Sequence, residues 1–219
     1  MIIFIVPYRC TDQPERKHQL QLFLHTIRGF LPDSYIFVME QFDKGPFNRG
    51  ALLNASISAC GASPNHVLCF HDLKYLPTVE SIQEYVRQLP ENTVRHVRSK
   101  DFPKFGGVIL MRCADFTKVN GFPNDYWGCS GENDELHKRI LRAGLRIERT
   151  DGVLLNLKKL TPPSPKHQAS QNKRWEKMDW HDANPGKDGL EQLDAQIVHS
   201  SCQDDVLFHY QAVLPHIEH

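Results

Sequence analysis

The sequence predicts an α/β fold with a Rossmann-like, mostly parallel sheet flanked by helices. Strand-like and helix-like segments alternate along the first half of the chain, as expected when helices connect parallel strands. The strand-like segments are short runs of β-branched and aromatic residues, which is typical of strands buried on both faces. The helix-like segments carry their apolar residues on one face. With 219 residues, of which 40% are hydrophobic, the chain is long enough to bury one complete core.

The first half begins with a strand at residues 2–8, a nearly continuous apolar run that stops at Pro7-Tyr8-Arg9. Residues 15–30 are predicted to be helical because Leu20, Phe23 and Ile27 lie on one helical stripe. A turn containing glycine and proline at residues 44–46 separates the next strand from the next helix. The other elements of this half are strands at residues 35–39, 66–70 and 94–97 and helices at residues 47–60 and 78–89.

The second half is organised around residues 104–144, which read KFGGVILMRCADFTKVNGFPNDYWGCSGENDELHKRILRAG. A strand at residues 107–111 and a short helix lead into a glycine-rich loop that contains Trp127. An amphipathic helix then opens with acidic residues and ends at Gly144. Residues 145–157 are predicted to form a strand or a hairpin with Asp151-Gly152 as its turn. Beyond Ile197 the sequence shows no informative pattern.

Composition limits the possible classes of function. The 26 basic and 26 acidic residues balance, so no excess charge favours a nucleic acid or an anionic membrane as partner. No apolar run approaches the roughly 20 residues needed to span a bilayer. The six cysteines show no CxxC pair and hence no zinc motif. Without an export signal, we expect reduced thiols and a cytoplasmic location.

Three separated segments are predicted to meet at one crevice. Ligands of parallel sheets bind beyond the carboxyl ends of the strands. Arg9 and Asp72 each follow a predicted strand, and residues 47–49 open a predicted helix. The tryptophan loop precedes an acidic cluster that begins at Glu132, an arrangement that suits a sugar ring. The alternative for this acidic cluster is ordinary helix initiation, because the helix dipole favours carboxylates there.

The motifs FGGV, NGFPNDYWG and GEND resemble the acceptor-site region of the β-1,4-galactosyltransferase family. The resemblance implies a GT-A type fold in one domain over residues 1–219, with a nucleotide-sugar-binding half (1–100) and an acceptor-binding half (101–200). It also implies transfer of a galactose-like hexose from a UDP-sugar to a glycan hydroxyl, with inversion. The family's P-F-R and F-N-R motifs hold the uridine diphosphate. The residues that the resemblance assigns to the donor are Pro7, Tyr8, Arg9, Phe47, Asn48, Arg49, Asp72, Lys74, Gly106, Gly107 and Trp127.

The resemblance departs from the family pattern at the catalytic base. An inverting transferase needs a carboxylate to take the proton of the acceptor hydroxyl. The family's base position holds Asn133 here, so Asp134 or Glu132 would have to serve. Two alternatives stay open: a retaining transferase, because GEN also resembles the motif of polypeptide N-acetylgalactosaminyltransferases, or a lapsed nucleotide- or glycan-binding module. The residues assigned to the acceptor are Trp127, Gly131, Glu132, Asn133, Asp134, Arg174 and Trp175.

A second departure affects the family's Mn²⁺ site. The family motif D-V-D is replaced by Asp72-Leu73-Lys74, and residues 157–162 lack the family's Met and His ligands. One carboxylate is too few for a hard divalent cation, so Mn²⁺ is doubtful and no metal ligands are assigned. His71 and His167 are weak candidates for metal ligands. Because a lysine acts as a point charge on phosphate, we expect Lys74 to support the diphosphate. Further lysines that would assist it are Lys100, Lys158 and Lys159.

Overall fold

Strands and helices alternate along the chain in a computed structural model that describes residues 1–9, 14–99, 104–128, 131–152, 154–157 and 187–214. Five α-helices lie in these ranges: α1 (Pro14–Phe30), α2 (Arg49–Cys60), α3 (Val79–Val86), α4 (Cys113–Lys118) and α5 (Glu132–Arg142). The first five strands are β1 (Ile2–Tyr8), β2 (Tyr35–Gln41), β3 (Val67–His71), β4 (Tyr75–Pro77) and β5 (Thr93–Ser99). The other strands are β6 (Val108–Arg112), β7 (Arg146–Gly152), β8 (Leu154–Asn156), β9 (Gln196–Gln203) and β10 (Leu207–Val213).

Eight of these strands form one sheet in the order β7-β5-β6-β3-β1-β2-β10-β9, and β4 and β8 form a separate antiparallel pair. The pairs β1–β2, β1–β3, β2–β10 and β5–β7 are parallel. The pairs β3–β6, β5–β6 and β9–β10 are antiparallel. The predicted mostly parallel sheet flanked by helices is therefore confirmed, with β6 as an antiparallel strand inside it.

The core lies on both faces of this sheet. Strand β1 is buried from Ile3 to Tyr8, as its continuous apolar run predicts. On one face, α1 places Phe23 and Ile27 against the sheet, with no exposed surface on either side chain. On the other face, α2 and α5 contribute buried leucines and isoleucines to a second cluster. The predicted apolar stripes of these helices are thus the faces that pack.

The prediction for residues 145–157 was wrong in one respect. Strand β7 pairs with β5 in the main sheet, whereas β8 pairs with β4 in the small one. The Asp151-Gly152 pair therefore does not close a hairpin, because it is the paired end of β7 and the next strand, β8, belongs to the other sheet. Local turn residues indicated a reversal, and the long-range partners of each strand decided otherwise.

The C-terminal segment, which the sequence left unassigned, completes the sheet. Strands β9 and β10 form a hairpin, and β10 adds in parallel to β2. Stacked aromatic rings pack across the junction of β2 and β10. The Phe37 and Phe208 rings lie 4.7 Å apart at 10°, and Tyr35 and Tyr210 extend the stack on either side. None of the helices in the described ranges is long and apolar enough to cross a membrane.

Two buried histidines give the fold a pH dependence. The His71 ring lies 3.0 Å from the Tyr85 hydroxyl through Nε2, and burial lowers its pKa to about 4. The Nε2 atom of His96 lies 3.0 Å from the Gly106 carbonyl oxygen, and burial lowers the pKa of His96 to about 4 as well. Both rings are therefore neutral in the folded protein at neutral pH.

We expect the free energy of unfolding to fall as the pH decreases from about 6.5 towards 4. In this window the unfolded state binds protons at both histidines and the folded state does not, which costs roughly 1.4 kcal/mol per histidine per pH unit. Urea unfolding at several pH values measures the slope. In His96→Gln, whose amide can still donate to the Gly106 carbonyl, the slope should drop by about one histidine's share. Equal slopes in the two proteins would contradict this assignment.

Candidate active site

The candidate site lies where the start of α2 meets the start of α5. Arg49, the first residue of α2, points its Nη1 atom at Glu132 Oε1, 3.4 Å away, and at Asn133 Oδ1, 3.2 Å away. Its guanidinium group also lies over the Phe122 ring, 5.7 Å from the centroid. The Nη2 atom of Arg49 is buried and has no hydrogen-bond partner among the described residues. One arginine thus connects the predicted donor and acceptor halves.

Asn48 fixes the start of α2 and is fully buried. Its Oδ1 atom accepts a hydrogen bond from the Ala51 amide at 3.0 Å, which caps the helix. Its side-chain amide donates to the Asn124 carbonyl. Its own backbone amide donates to Gln41 Oε1 at 2.8 Å. Asn48 is therefore occupied by protein partners, and it positions Arg49.

The loop that contains the NGFPNDYWG motif is held against α2 by side-chain amides. Asn54 Nδ2 donates to the Phe122 carbonyl and to Asn124 Oδ1, both at 2.8 Å. Asp188 accepts the Asn124 backbone amide at 2.9 Å; burial raises the pKa of this carboxyl. The helix and the loop approach so closely that a Cβ at Gly50 would lie 2.3 Å from the Pro123 carbonyl oxygen. Only glycine fits at that contact.

Glu132, the first carboxylate of α5, is hydrogen-bonded to the residues on either side of it. Glu132 is only 4% exposed. Its Oε2 atom accepts the Gly131 amide at 3.0 Å, and its Oε1 atom accepts Asn133 Nδ2 at 3.0 Å. Asp134 differs, because it is half-buried and its carboxylate has no hydrogen bond or ion pair within the described ranges. Of the three residues predicted to be catalytic, Asp134 is the carboxylate with unoccupied oxygens.

The glycine pair of the FGGV motif packs against this turn. Gly106 adopts φ +132° and Gly107 φ +76°, in the region that favours glycine. A Cβ at Gly106 would lie 2.9 Å from Asn133 Cγ. The Gly107 carbonyl accepts the Asp72 amide at 2.9 Å. The glycines therefore join the end of β3 to the start of α5, and their role towards a donor stays a prediction.

Asp72 and Lys74 form an ion pair at the end of β3. Lys74 Nζ lies 3.2 Å from Asp72 Oδ2, and the Lys74 amide donates to Asp72 Oδ1 at 3.0 Å. Burial by itself raises the pKa of Asp72, but the charges of Lys74 and Arg49 outweigh it and hold the pKa well below its usual range. Lys74 also lies 4.8 Å from the centroid of the Tyr75 ring. Asp72 is thus ionised and surrounded by cations.

The described residues around Asp72 do not supply the ligand set of a divalent metal ion. Asp72, the carboxylate matching the family's metal motif, already faces an ammonium group. His71 points into the core, with its ring 4.7 Å from that of Phe23. Among the residues that the structure describes, no group of three or more His, Cys, Asp or Glu side chains is placed to hold a metal.

The remaining predicted donor residues lie at the end of β1, just before α2 and in the tryptophan loop. Arg9 donates to the backbone carbonyls of Asp43, at 2.8 Å, and of Gly45, so its guanidinium group supports the loop before α2. Pro7 and Tyr8 are buried at the end of β1. Phe47 and Trp127 pack on the cluster formed by α2 and the C-terminal segment. Their roles towards a donor or acceptor stay predictions. Lys100, Lys158, Lys159, His167, Arg174 and Trp175 fall outside the described residues.

The sequence analysis did not predict a buried set of contacts beneath the site. Arg139, Glu135 and Tyr126 form it, and we call it the brace. The Arg139 side chain, only 1% exposed, donates through Nε to Glu135 Oε1 at 3.0 Å and through Nη1 to the Asn120 carbonyl at 3.1 Å. The Tyr126 hydroxyl donates to the other oxygen of Glu135 at 2.9 Å. The brace connects α5 to both ends of the tryptophan loop. Its only sequence signal is the Glu-to-Arg spacing of four residues.

Two models of known protein families match this chain. A model described as the N-terminal region of glycosyl transferase group 7 matches residues 1–85. A second model, described as the N-terminal domain of galactosyltransferase, matches residues 93–162. The chain belongs to the β-1,4-galactosyltransferase family. The two matched regions of this galactosyltransferase-family chain contain both sides of the Arg49–Glu132 contact.

Individual relatives agree with the family. Over 159 residues, or 66% of this chain, the galactosyltransferase-family sequence is 35% identical to human β-1,4-galactosyltransferase 3. Over 165 residues, or 70% of this chain, it is 32% identical to human β-1,4-galactosyltransferase 7. These matches span only 38% and 48% of the two relatives.

A solved structure shares the fold. A mutant of Drosophila β-1,4-galactosyltransferase 7 in complex with manganese, UDP-Gal and xylobiose superposes with a TM-score of 0.74. The match covers 99% of this chain and 94% of that one, at 24% identity. The predicted GT-A type fold is therefore confirmed.

Proposed function

We propose that this galactosyltransferase-family chain transfers a galactose-like hexose from a UDP-sugar to a glycan hydroxyl, with inversion and without a bound metal. The observation that carries the proposal is the Asp72–Lys74 ion pair beside Arg49. It places fixed positive charge at the carboxyl end of β3, where sheets of this class bind ligands. UDP-Gal in the structural relative supports the choice of donor.

In the proposed reaction, the acceptor hydroxyl attacks the anomeric carbon as the bond from that carbon to the diphosphate oxygen breaks. Negative charge then develops on the departing UDP and must be stabilised. The Lys74 ammonium group is a point charge suited to phosphate, and its contact with Asp72 holds it in place before the donor binds. Arg49 adds a second cation with a buried, unpaired Nη2 atom.

We assign the base to Asp134. Both oxygens of Glu132 accept hydrogen bonds from protein groups, and an amide such as Asn133 cannot accept the proton. Asp134 is half-buried at the same helix start. Asn133, held by Arg49 and packed on Gly106, would orient the acceptor. A retaining reaction that uses Asn133 is the second candidate, and anomer analysis of the product by proton NMR distinguishes the two.

Lys74→Gln tests the proposal, because it removes the charge and keeps a polar side chain of similar reach. We expect turnover to fall about 10²-fold, the usual loss when one charge-stabilising group is removed. Lys118→Gln, on the exposed end of α4, should leave turnover unchanged. Wild-type affinity for UDP, measured by calorimetry, should be the same in EDTA and in Mn²⁺. Loss of UDP binding in EDTA would overturn metal independence, and no UDP binding under either condition would overturn the UDP-sugar donor.

Two broader assignments are also proposals. Residues 1–219 would act as one domain, with residues 1–100 binding the nucleotide-sugar and residues 101–200 the acceptor. We also propose a reducing, cytoplasm-like compartment, which the free thiols among the described cysteines support. Localisation of a tagged full-length chain tests the second assignment.

A further inference from the structure

Two cysteines lie at the ends of the segments that build the site. Cys60 is the last residue of α2, whose first residue is Arg49, and Cys113 is the first residue of α4, which leads into the tryptophan loop. The backbone holds these ends together, since the Cys113 amide donates to the His66 carbonyl at 2.9 Å and the Ala114 amide to the Pro64 carbonyl at 3.0 Å. The C-terminal end of α2 and the start of α4 are therefore neighbours.

Both thiols contact the same residue, Ala62. Cys113 Sγ lies 3.7 Å from the Ala62 carbonyl oxygen, and Cys60 Sγ accepts the Ala62 backbone amide. The Cys60 thiol also lies 3.4 Å from the Ile57 carbonyl oxygen. Both cysteines are free thiols. The two thiols therefore lie beside the same alanine, near enough for their charges to interact.

An open cavity of about 290 Å³ lies at the amino-terminal ends of the strands, beside the half-buried Cys60. Cys60 lines this cavity together with Ala59, Gly61 and His66. Cys113 is only 6% exposed. A small reagent would therefore meet Cys60 first, and Cys113 lies behind it.

We propose that Cys60 and Cys113 form an intramolecular disulfide when the protein meets a small disulfide such as oxidised glutathione. The Cys60 thiolate attacks one sulfur of the reagent, its S–S bond breaks, and one glutathione leaves and takes up a proton. The Cys113 thiolate then attacks the Cys60 sulfur of the mixed disulfide and releases a second glutathione. Two protein thiols lose two electrons and two protons, and one oxidised glutathione becomes two reduced ones.

The environment of the pair makes the reaction slow at neutral pH. Burial, with a smaller contribution from the nearby Cys113, raises the pKa of Cys60 to about 11. Burial also raises the pKa of Cys113. Because the thiolate is the attacking species, the rate should rise as the pH increases from 7 to 9. In a reducing compartment the two thiols would stay reduced.

Peptide mapping by mass spectrometry tests the proposal. The full chain carries Cys202→Ser, which removes an exposed thiol, and is incubated with oxidised glutathione at pH 8.5. We expect one peptide pair joined through Cys60 and Cys113. Thermal unfolding should shift upwards by about 5–10 °C, because the bond closes a loop of about fifty residues in the unfolded chain. Dithiothreitol should reverse both changes.

Two single variants serve as controls. Cys60→Ser and Cys113→Ser in the same background should each lose the linked peptide and the thermal shift, while the other cysteine retains at most one glutathione. A Cys60–Cys113 peptide together with the upward shift supports the proposal. Linkage of either cysteine to a different cysteine, or glutathione on Cys60 with Cys113 still reduced, would overturn it.

Discussion

Replacing Asp134 by Asn should lower turnover by about 10²–10⁴-fold, the range that a positioned general base contributes. The amide keeps the size of the carboxylate at the start of α5 but cannot take the acceptor proton. Affinity for the donor should stay within twofold, because the cations near Asp72 are untouched. Steady-state transfer assays, with UDP release as the readout, measure the loss, and calorimetry measures the affinity.

The matched control for this change is Asp33→Asn, an exposed carboxylate before β2, which should leave turnover unchanged. Glu132→Gln separates positioning from proton transfer. It weakens the contact with Arg49 and should raise KM for the acceptor more than it lowers kcat. If Asp134→Asn turns over at the wild-type rate, Asp134 is not the base, and the retaining alternative gains support.

Replacing Arg139 by Met should lower the free energy of unfolding by about 3–5 kcal/mol, because it leaves the Glu135 carboxylate without its buried partner. It also removes the donors to the Asn120 and Gly121 carbonyls. The tryptophan loop then loses its attachment to α5. Urea unfolding monitored by circular dichroism measures the change.

Two further variants make this prediction sharper. Arg142→Met, on the exposed side of the same helix, should change stability by less than about 0.5 kcal/mol. Adding Glu135→Leu to Arg139→Met removes the unpaired carboxylate and should recover part of the loss. A single variant as stable as the wild type would show that the brace is dispensable.

The fold was predictable where a pattern needs no distant partner. The apolar run of β1 and the apolar stripes of α1 and α5 are each enough to predict which of their residues are buried. Strand β9 was missed because all of its residues are exposed and it therefore has no apolar alternation. Strands β4 and β8 have three residues each, too few for a periodic signal. Their pairing depends on tertiary contacts, which a local pattern cannot report.

The sequence predicted which residues lie near one another better than it predicted their contacts, and their functional roles stay predictions. Asp72, Lys74, Arg49, Gly106 and Asn133 were all assigned, and the structure connects them through an ion pair, hydrogen bonds and close packing. That Arg9 would hold the loop before α2 was not predictable, because its acceptors are backbone carbonyls more than thirty positions away. A motif shows that an arginine and its charge are present, but the groups that the arginine contacts depend on the fold.

Under the proposed function, the contact of Arg49 with Glu132 and Asn133 would couple the affinities for the two substrates. A nucleotide that attracts this guanidinium group changes the free energy of the acceptor side, and by thermodynamic reciprocity an acceptor changes the affinity for nucleotide by the same factor. Cooperativity between the two substrates would then depend on this one side chain, and Arg49→Lys should weaken it.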